Sequence, residues 1–413
     1  MLFLAHYFDL YINIYLGEQI ISDYLGAMSN QMEIMELSIS SLKEYMVNMF
    51  YHYPAMATIW SNMNRQEQNG VAYQKVEEVL VAVREGETSL LYPSLNNWSN
   101  TQFHPAYGLL PEMQDPKMSQ ISKSKLHKVV MVLEVMLGLI ASSSRTTKRD
   151  IFYQHFVDFS SQRELDIMVG VIVAMVQVPR LLLGVVATSK GLVVGDLSYI
   201  NNEDVLVDCN LAVGGDSVPQ DVMEMRNIGT SAKFVLVVEK DAVFQRMLEE
   251  GVMSGHLPSL IMVTGKGVPD LATRQLVYML ATKLMLPVMI ITDCDPYGVD
   301  ICMMYKYGSL AMAWAAEPLA VPTAVWLGLL PSDITRLSIM PSSMKPHSAQ
   351  DCKKMVDLNN RQYVREDVRL SGELEILWDM GRKAEIQQVV EERERGFLTQ
   401  HFLPRKIAEC GWV

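Results

Sequence analysis

An α/β protein with a winged-helix segment ahead of a mainly parallel sheet, behind a helical N-terminal region, is the fold class that the sequence predicts. Three observations predict it. Residues 125–178 read as three helices, and two apolar runs around Ser189-Lys190-Gly191 follow them. Residues 234–293 alternate continuous apolar strands with helices. The first 75 residues are rich in methionine and read as helical.

In the N-terminal region, Ser40-Ser41-Leu42-Lys43-Glu44 has the pattern of a cap followed by a helix. Its Met and aromatic positions suit packing or a face for a partner helix. Residues 92–124, rich in Pro, Asn and Ser, read as loop. Residues 126–140 form a strongly apolar helix. TTKRDIFYQHF gives the second, and RELDIMVGVIVAMVQV the third, which Pro179 stops. The runs on either side of Ser189-Lys190-Gly191 then read as a β-hairpin. Three helices and a hairpin is the order of a winged-helix DNA-binding domain, in which a late helix enters the major groove. A helical subdomain with a hairpin and no DNA contact has the same pattern.

In the second half, residues 234–238 form an apolar strand ending in Glu239, and a helix follows over 241–250. A second strand at 260–263 ends in Thr264-Gly265-Lys266-Gly267, and a helix follows over 270–284. A third strand at 287–292 ends in Asp293-Cys294-Asp295. Continuous apolar strands alternating with helices indicate a parallel sheet covered on both faces. The division expected is 1–75, 76–200 and 201–413.

Composition narrows the function classes. The chain has 413 residues, 49% hydrophobic and 20% charged, enough for a sizeable core in two or three domains. Five cysteines, with no C-x-x-C pair, suggest neither a disulfide framework nor a zinc site. The apolar start has no Lys or Arg before Lys43, unlike a secretory signal or a presequence. Asp9 and Glu18 interrupt it before membrane-spanning length. A soluble intracellular protein is expected. The net charge of −12 opposes nucleic-acid binding only if it is evenly spread. It is uneven: residues 115–190 hold ten Lys/Arg against six Asp/Glu. Such an island suits phosphate contacts, and equally an ordinary solvated surface.

Two groups of residues carry candidate chemistry. Glu239, Asp293 and Asp295 fall at strand ends, where ligands of open α/β sheets bind. Three converging carboxylates repel unless a cation sits among them, and hard oxygen donors select Mg²⁺ or Mn²⁺. Cys294 points to the other side, and acids that merely cap helices are the alternative. Arg149 and Tyr153 are four apart, on one face of a helix. A phenol with a pKa of about 10 is ionised in about one molecule per thousand at pH 7, a deficit of about 4 kcal/mol. A neighbouring guanidinium reduces that deficit and can grip a phosphate with paired donors. The bland alternative is two core aromatics, Phe152 and Tyr153. Two motifs are decoys. Gly265-Lys266-Gly267 does not satisfy the phosphate-loop pattern, so no ATP site is expected here, and His155 faces away from Tyr153.

The combination resembles the A subunit of DNA topoisomerase VI, most closely its eukaryotic relatives that make meiotic double-strand breaks. The matching stretches are TTKRDIFY, ATSKGLVVGDL, FVLVVEKDAVFQRML, MVTGKGVPDLATRQL, DCDPYGVDI, YKYGS and WLGLLPSD, with KAEIQ, FLTQHFLPRKI and GWV toward the end. The resemblance runs from Tyr73 to Val413, and residues 1–72 lie outside it. It implies a winged-helix (CAP-like) domain over 76–200 and a Toprim domain with a C-terminal extension over 201–413. It implies Tyr153 as the nucleophile, Arg149 as its partner, and Glu239, Asp293 and Asp295 as Mg²⁺ ligands. The reaction it implies is transesterification of double-stranded DNA, leaving each tyrosine on a 5′ phosphate and a free 3′ hydroxyl. That places the chain with topoisomerases of the ATP-hydrolysing type II class. Whether the breaks are resealed depends on a B subunit. The partners implied are DNA, a second copy of the chain with which each site is shared, meiotic accessory proteins and a topoisomerase VI B-like subunit. No membrane is implied, and the location is the nucleus. Phe152 stands where many relatives have a second tyrosine. Residues 361–374 match poorly and carry no role.

Overall fold

The computed structural model describes residues 31–53, 63–186, 188–253, 257–315, 319–391 and 393–413. Helix α1 (Gln31–His52) and helix α2 (Arg65–Arg84) open it. The cap expected at Ser40-Ser41 is absent, because α1 runs straight through it. Its buried stripe, Met35, Ser38, Ile39, Leu42, Met46 and Met49, holds it as one helix. Ser38 Oγ–H donates to Ala408 O at 3.3 Å, so the serine is satisfied by tertiary structure. Residues 1–30 and 54–62 of the expected helical region lie outside the described residues.

The stretch 92–124, expected as loop, contains short strands. Leu91–Pro93 pairs with Met118–Gln120, and Thr101–His104 pairs with Gly108–Pro111. Strands of three or four residues, two of them containing Pro, are too short to register as alternation.

Three helices follow, as expected: α3 (Lys123–Ala141), α4 (Lys148–Gln154) and α5 (Gln162–Val176). In α3 the spacing of Val129, Val132, Leu133, Met136 and Ile140 buries one stripe. With α2 and α5 it forms one of two hydrophobic cores among the described residues. Short α4 is fixed at its start by a capping box. Thr147 Oγ1 accepts the Asp150 N–H at 3.1 Å, and Asp150 Oδ2 accepts from Thr147 N–H and Oγ1–H at 3.3 and 2.7 Å.

The expected hairpin around Ser189-Lys190-Gly191 does not form. Val185–Val186 (β2) pairs in parallel with Thr146–Thr147 (β1). Leu192–Gly195 (β3) pairs antiparallel with Leu260–Thr264. Between them, the N–H groups of Lys190 and Gly191 donate to Asp270 Oδ2 at 2.9 and 3.3 Å instead of closing a turn. The two apolar runs are thus core strands of different sheets.

The large sheet has six strands in the order β4 (Asp216–Ser217), β3, β6 (Leu260–Thr264), β5 (Phe234–Val238), β7 (Val288–Ile291) and β8 (Val325–Gly328). Strands β6, β5, β7 and β8 run parallel, while β3 and β4 run antiparallel to their neighbours. The expected mainly parallel sheet is present. Strand β3 lies before residue 200 yet belongs to this sheet. Helices α6 (Asp241–Glu249), α7 (Leu271–Thr282) and α8 (Pro296–Tyr307) follow β5, β6 and β7. All residues of β5, β6 and β7 are buried. Helix α1 packs on this second core, not on the core of α2–α5. Among the described residues, no helix is long and apolar enough to cross a membrane.

Candidate active site

Strand register brings the first two acids together. Val238 pairs with Ile291, so Glu239 and Asp293 emerge side by side at the carboxyl ends of β5 and β7. The Asp293 N–H donates to Glu239 Oε2 at 2.9 Å, and the Glu239 N–H donates to Ile291 O at 3.0 Å. Both acids are buried. Burial pushes the Glu239 carboxyl up to about 7, and the neighbouring charges of Asp293 and Asp295 add to that. Burial also raises Asp293, although Lys240 opposes it.

Asp295 turns to the start of the helix that follows. Its Oδ1 accepts the N–H groups of Tyr297 and Gly298 at 2.9 and 2.7 Å, which caps α8. Pro296 then occupies the first helical turn. Gly298 lies against Asp293, where a Cβ would come 2.3 Å from Asp293 O. The D-C-D-P-Y-G run is therefore a strand end, cap and helix start folded tightly on itself. Cys294, between the two Asp residues, is fully buried, and its N–H donates to Ala384 O at 2.9 Å.

Sequence reasoning missed the cations and the far segment at this centre. Lys240 Nζ lies 2.5 Å from Asp293 Oδ2 and 2.8 Å from Glu385 Oε2. Lys345 Nζ reaches the other Glu385 oxygen at 2.6 Å. These two lysines hold the Glu385 carboxyl down to about 2, Lys240 first. The Ile386 N–H donates to Asp293 Oδ1 at 2.9 Å. Residues 384–386 thus clamp the D-x-D turn from 93 positions away. The only signal for this was the KAEIQ stretch, whose spacing says nothing of where it packs.

The donor chemistry of the acids suits a hard divalent ion. The donor set is all carboxylate oxygen, and an ammonium group already sits on one of them, showing that the site favours a cation. Among the described residues, however, no three Asp, Glu, His or Cys side chains are closed up into a ready chelate.

Tyr153 stands apart, 60% exposed on α4. The Arg149 guanidinium carbon lies 5.9 Å from the centre of its ring, as the four-residue spacing requires. Phe152 is half-buried against the helical core, with its ring 5.8 Å from that of Tyr153. Lys148 is tied to Asp166 at 2.6 Å, and His155 caps the helix end 3.9 Å from Asp158. Among the described residues, no hydrogen bond or ion pair joins Tyr153 or Arg149 to Glu239, Asp293 or Asp295 in this chain. In the basic island, Lys128, Arg145 and Lys148 are neutralised by acids. Lys123, Lys125, Arg149 and Arg163 are exposed and have no ion pair among the described residues.

The fold and these residues define a Toprim-bearing protein of the type IIB topoisomerase kind. Residues 234–407 match the model for the Toprim domain of the topoisomerase 6 A-subunit/Spo11 proteins, and residues 124–185 match that for "Type IIB DNA topoisomerase". The chain belongs to the topoisomerase 6 A-subunit/Spo11 family. It is 39% identical to the mouse meiotic recombination protein SPO11 over 323 residues, 77% of this chain and 81% of the relative. It is 35% identical to the human SPO11 over 348 residues, 82% and 86% of the two chains. The A subunit of DNA topoisomerase 6 from Arabidopsis thaliana is 32% identical over 301 residues, 72% and 69%. Membership carries a DNA-cleaving transesterase; for this A-subunit-like chain it does not carry the ATP hydrolysis of the type II class.

Proposed function

We propose that the chain starts meiotic recombination by breaking both strands of DNA, with Tyr153 as the nucleophile. The observation that carries this reading is the solvent-exposed phenol of Tyr153, held beside Arg149 on a capped helix, in a chain so similar to meiotic recombination proteins. The Tyr153 oxygen attacks a backbone phosphorus, a P–Oη bond forms, and the P–O3′ bond breaks. The proton lost by the phenol is balanced by one gained at the 3′ oxygen. The product is a 5′-phosphotyrosyl link with a free 3′ hydroxyl.

Arg149 steadies the phosphate oxygens and favours the phenolate. Glu239, Asp293 and Asp295 would hold Mg²⁺, which when bound orients the backbone and offsets charge developing on the phosphate. The unpaired cations Lys123, Lys125, Arg149 and Arg163 supply phosphate contacts, which suits low base specificity. In this reading α3–α5 belong to a winged-helix domain, and the Toprim domain with its extension takes in β3 as well as residues 201–413. The chain acts in the nucleus as a dimer, each tyrosine meeting the partner's acids, with accessory proteins and a B-like subunit. ATP hydrolysis is assigned to no residue of this chain.

The test is Tyr153→Phe in the chain assembled with its partners on labelled duplex DNA. DNA binding persists and covalent adducts vanish. Adducts that survive in the variant would overturn the assignment.

A further inference from the structure

Both oxygens of Asp293 are already engaged. Oδ1 accepts the backbone N–H of Ile386, and Oδ2 carries the ammonium of Lys240. A divalent ion approaching Oδ2 therefore meets a positive charge 2.5 Å from its ligand. Like charges at such spacing repel strongly in a partly buried site. Lys240 also has somewhere else to go. Its Nζ touches Glu385 Oε2 at 2.8 Å, and Glu385 is anchored through its other oxygen to Lys345. The ammonium thus stands between two carboxylates, one read as a metal ligand and one not. Lys240 precedes α6, so its backbone is fixed by the β5–α6 junction while its Nζ already reaches both carboxylates.

We propose that Lys240 is a positioning residue that occupies the cation place on Asp293 when no divalent ion is bound, and that Glu385 receives its ammonium when the ion enters. The inference rests on reading Asp293 as a metal ligand. Lys240 keeps Glu239 and Asp293 from being forced apart by their own repulsion, and it makes ion binding an exchange of one cation for another. The cost is a weaker grip on Mg²⁺.

The test is Mg²⁺ titration of the full-length chain by calorimetry, with melting curves in metal-free buffer, for wild type, Lys240→Gln, Glu385→Gln and Asp293→Asn. Lys240→Gln should bind Mg²⁺ about tenfold more tightly, a coupling of ordinary size between two ligands of one site. Its metal-free form should melt lower than wild type. Glu385→Gln should shift binding the other way, because the ammonium has lost its alternative seat; it also carries the test if Lys240→Gln fails to fold. Equal or weaker Mg²⁺ binding by folded Lys240→Gln, or tighter binding by Glu385→Gln, would overturn the exchange. Asp293→Asn should abolish the binding. If instead it binds Mg²⁺ as wild type does, the ligand assignment fails, whatever Lys240 does.

Discussion

The backbone N–H of Asp293 donates to the side chain of Glu239 at 2.9 Å, so one acid of the centre is oriented by the main chain of the next. That bond couples the position of the Glu239 carboxylate to the turn carrying Asp293. The turn that presents Asp293 is in turn packed against Gly298, the third residue of α8.

Gly298→Ala should therefore disturb the acids without touching them. A methyl group 2.3 Å from Asp293 O must push the turn or the helix start aside. We expect a loss of about 1–3 kcal/mol in stability, the usual range for overpacking. Denaturant unfolding checks it, and a midpoint equal to that of wild type would show that the turn yields freely.

Arg149→Lys keeps the charge beside Tyr153 and removes the paired planar donors. Cleavage should fall about 10–100-fold, the size expected for a charge-assisted hydrogen bond of about 1.5–3 kcal/mol, with DNA binding nearly unchanged. A variant that cuts at the wild-type rate would reduce Arg149 to a solvated helix charge.

A heterodimer of a Tyr153→Phe chain and a Glu239→Ala chain tests whether sites are shared. Sites built within one chain would both be dead. Shared sites would leave one intact combination, which should nick one strand and attach only the Tyr153-bearing chain. The measurement is single-strand nicking by a differently tagged, DNA-bound dimer. No nicks would rule out the shared arrangement.

The buried pair Lys406–Asp333 should respond unequally to its two deletions. Lys406 Nζ lies 3.0 Å from both Asp333 oxygens, and Arg336 also reaches Asp333, at 2.9 Å. Asp333→Ala strands Lys406 in the core, where burial already lowers its pKa, and should cost about 3–5 kcal/mol. Lys406→Met leaves Asp333 its arginine and should cost clearly less. Unfolding free energies of the two variants decide between them.

Acid should loosen the helical core through Glu164. A hydrogen bond from Lys128 and another from the Ser160 N–H hold this carboxyl down to about 2. Because its folded value lies below the ordinary 4.5, its contribution is present above that pH and is lost as pH falls toward about 2. Wild type should exceed Glu164→Gln in stability at neutral pH, and the gap should close across that window. A gap independent of pH would exclude the linkage.

Much of this arrangement was legible in the residues. The strands ending in Glu239 and Asp293, the three helices, and the pairing of Arg149 with Tyr153 follow from apolar continuity and helical spacing. The hairpin reading failed because Lys190 and Gly191 bond to Asp270, 80 and 79 positions away, and no local pattern announces that partner. Strand β8 and the clamp at 384–386 were missed for the same reason. Their identity lies in what they pair with, not in what they are made of. Ser40-Ser41 misled because a tertiary stripe outweighed a local capping signal.

The paired strands β1 and β2 have one further consequence. Only five residues separate Val186, bonded next to the start of α4, from Leu192 in the large sheet. A leash of that length spans at most roughly 20 Å when taut. Arg145, just ahead of β1, adds a second tie through Asp221 at 2.7 Å. The helix carrying Tyr153 is consequently no free arm. Under the proposal that sites are shared between copies, α4 and the strand pair anchoring it are expected to travel together toward the partner's acids, with protomer docking as the event that brings them there.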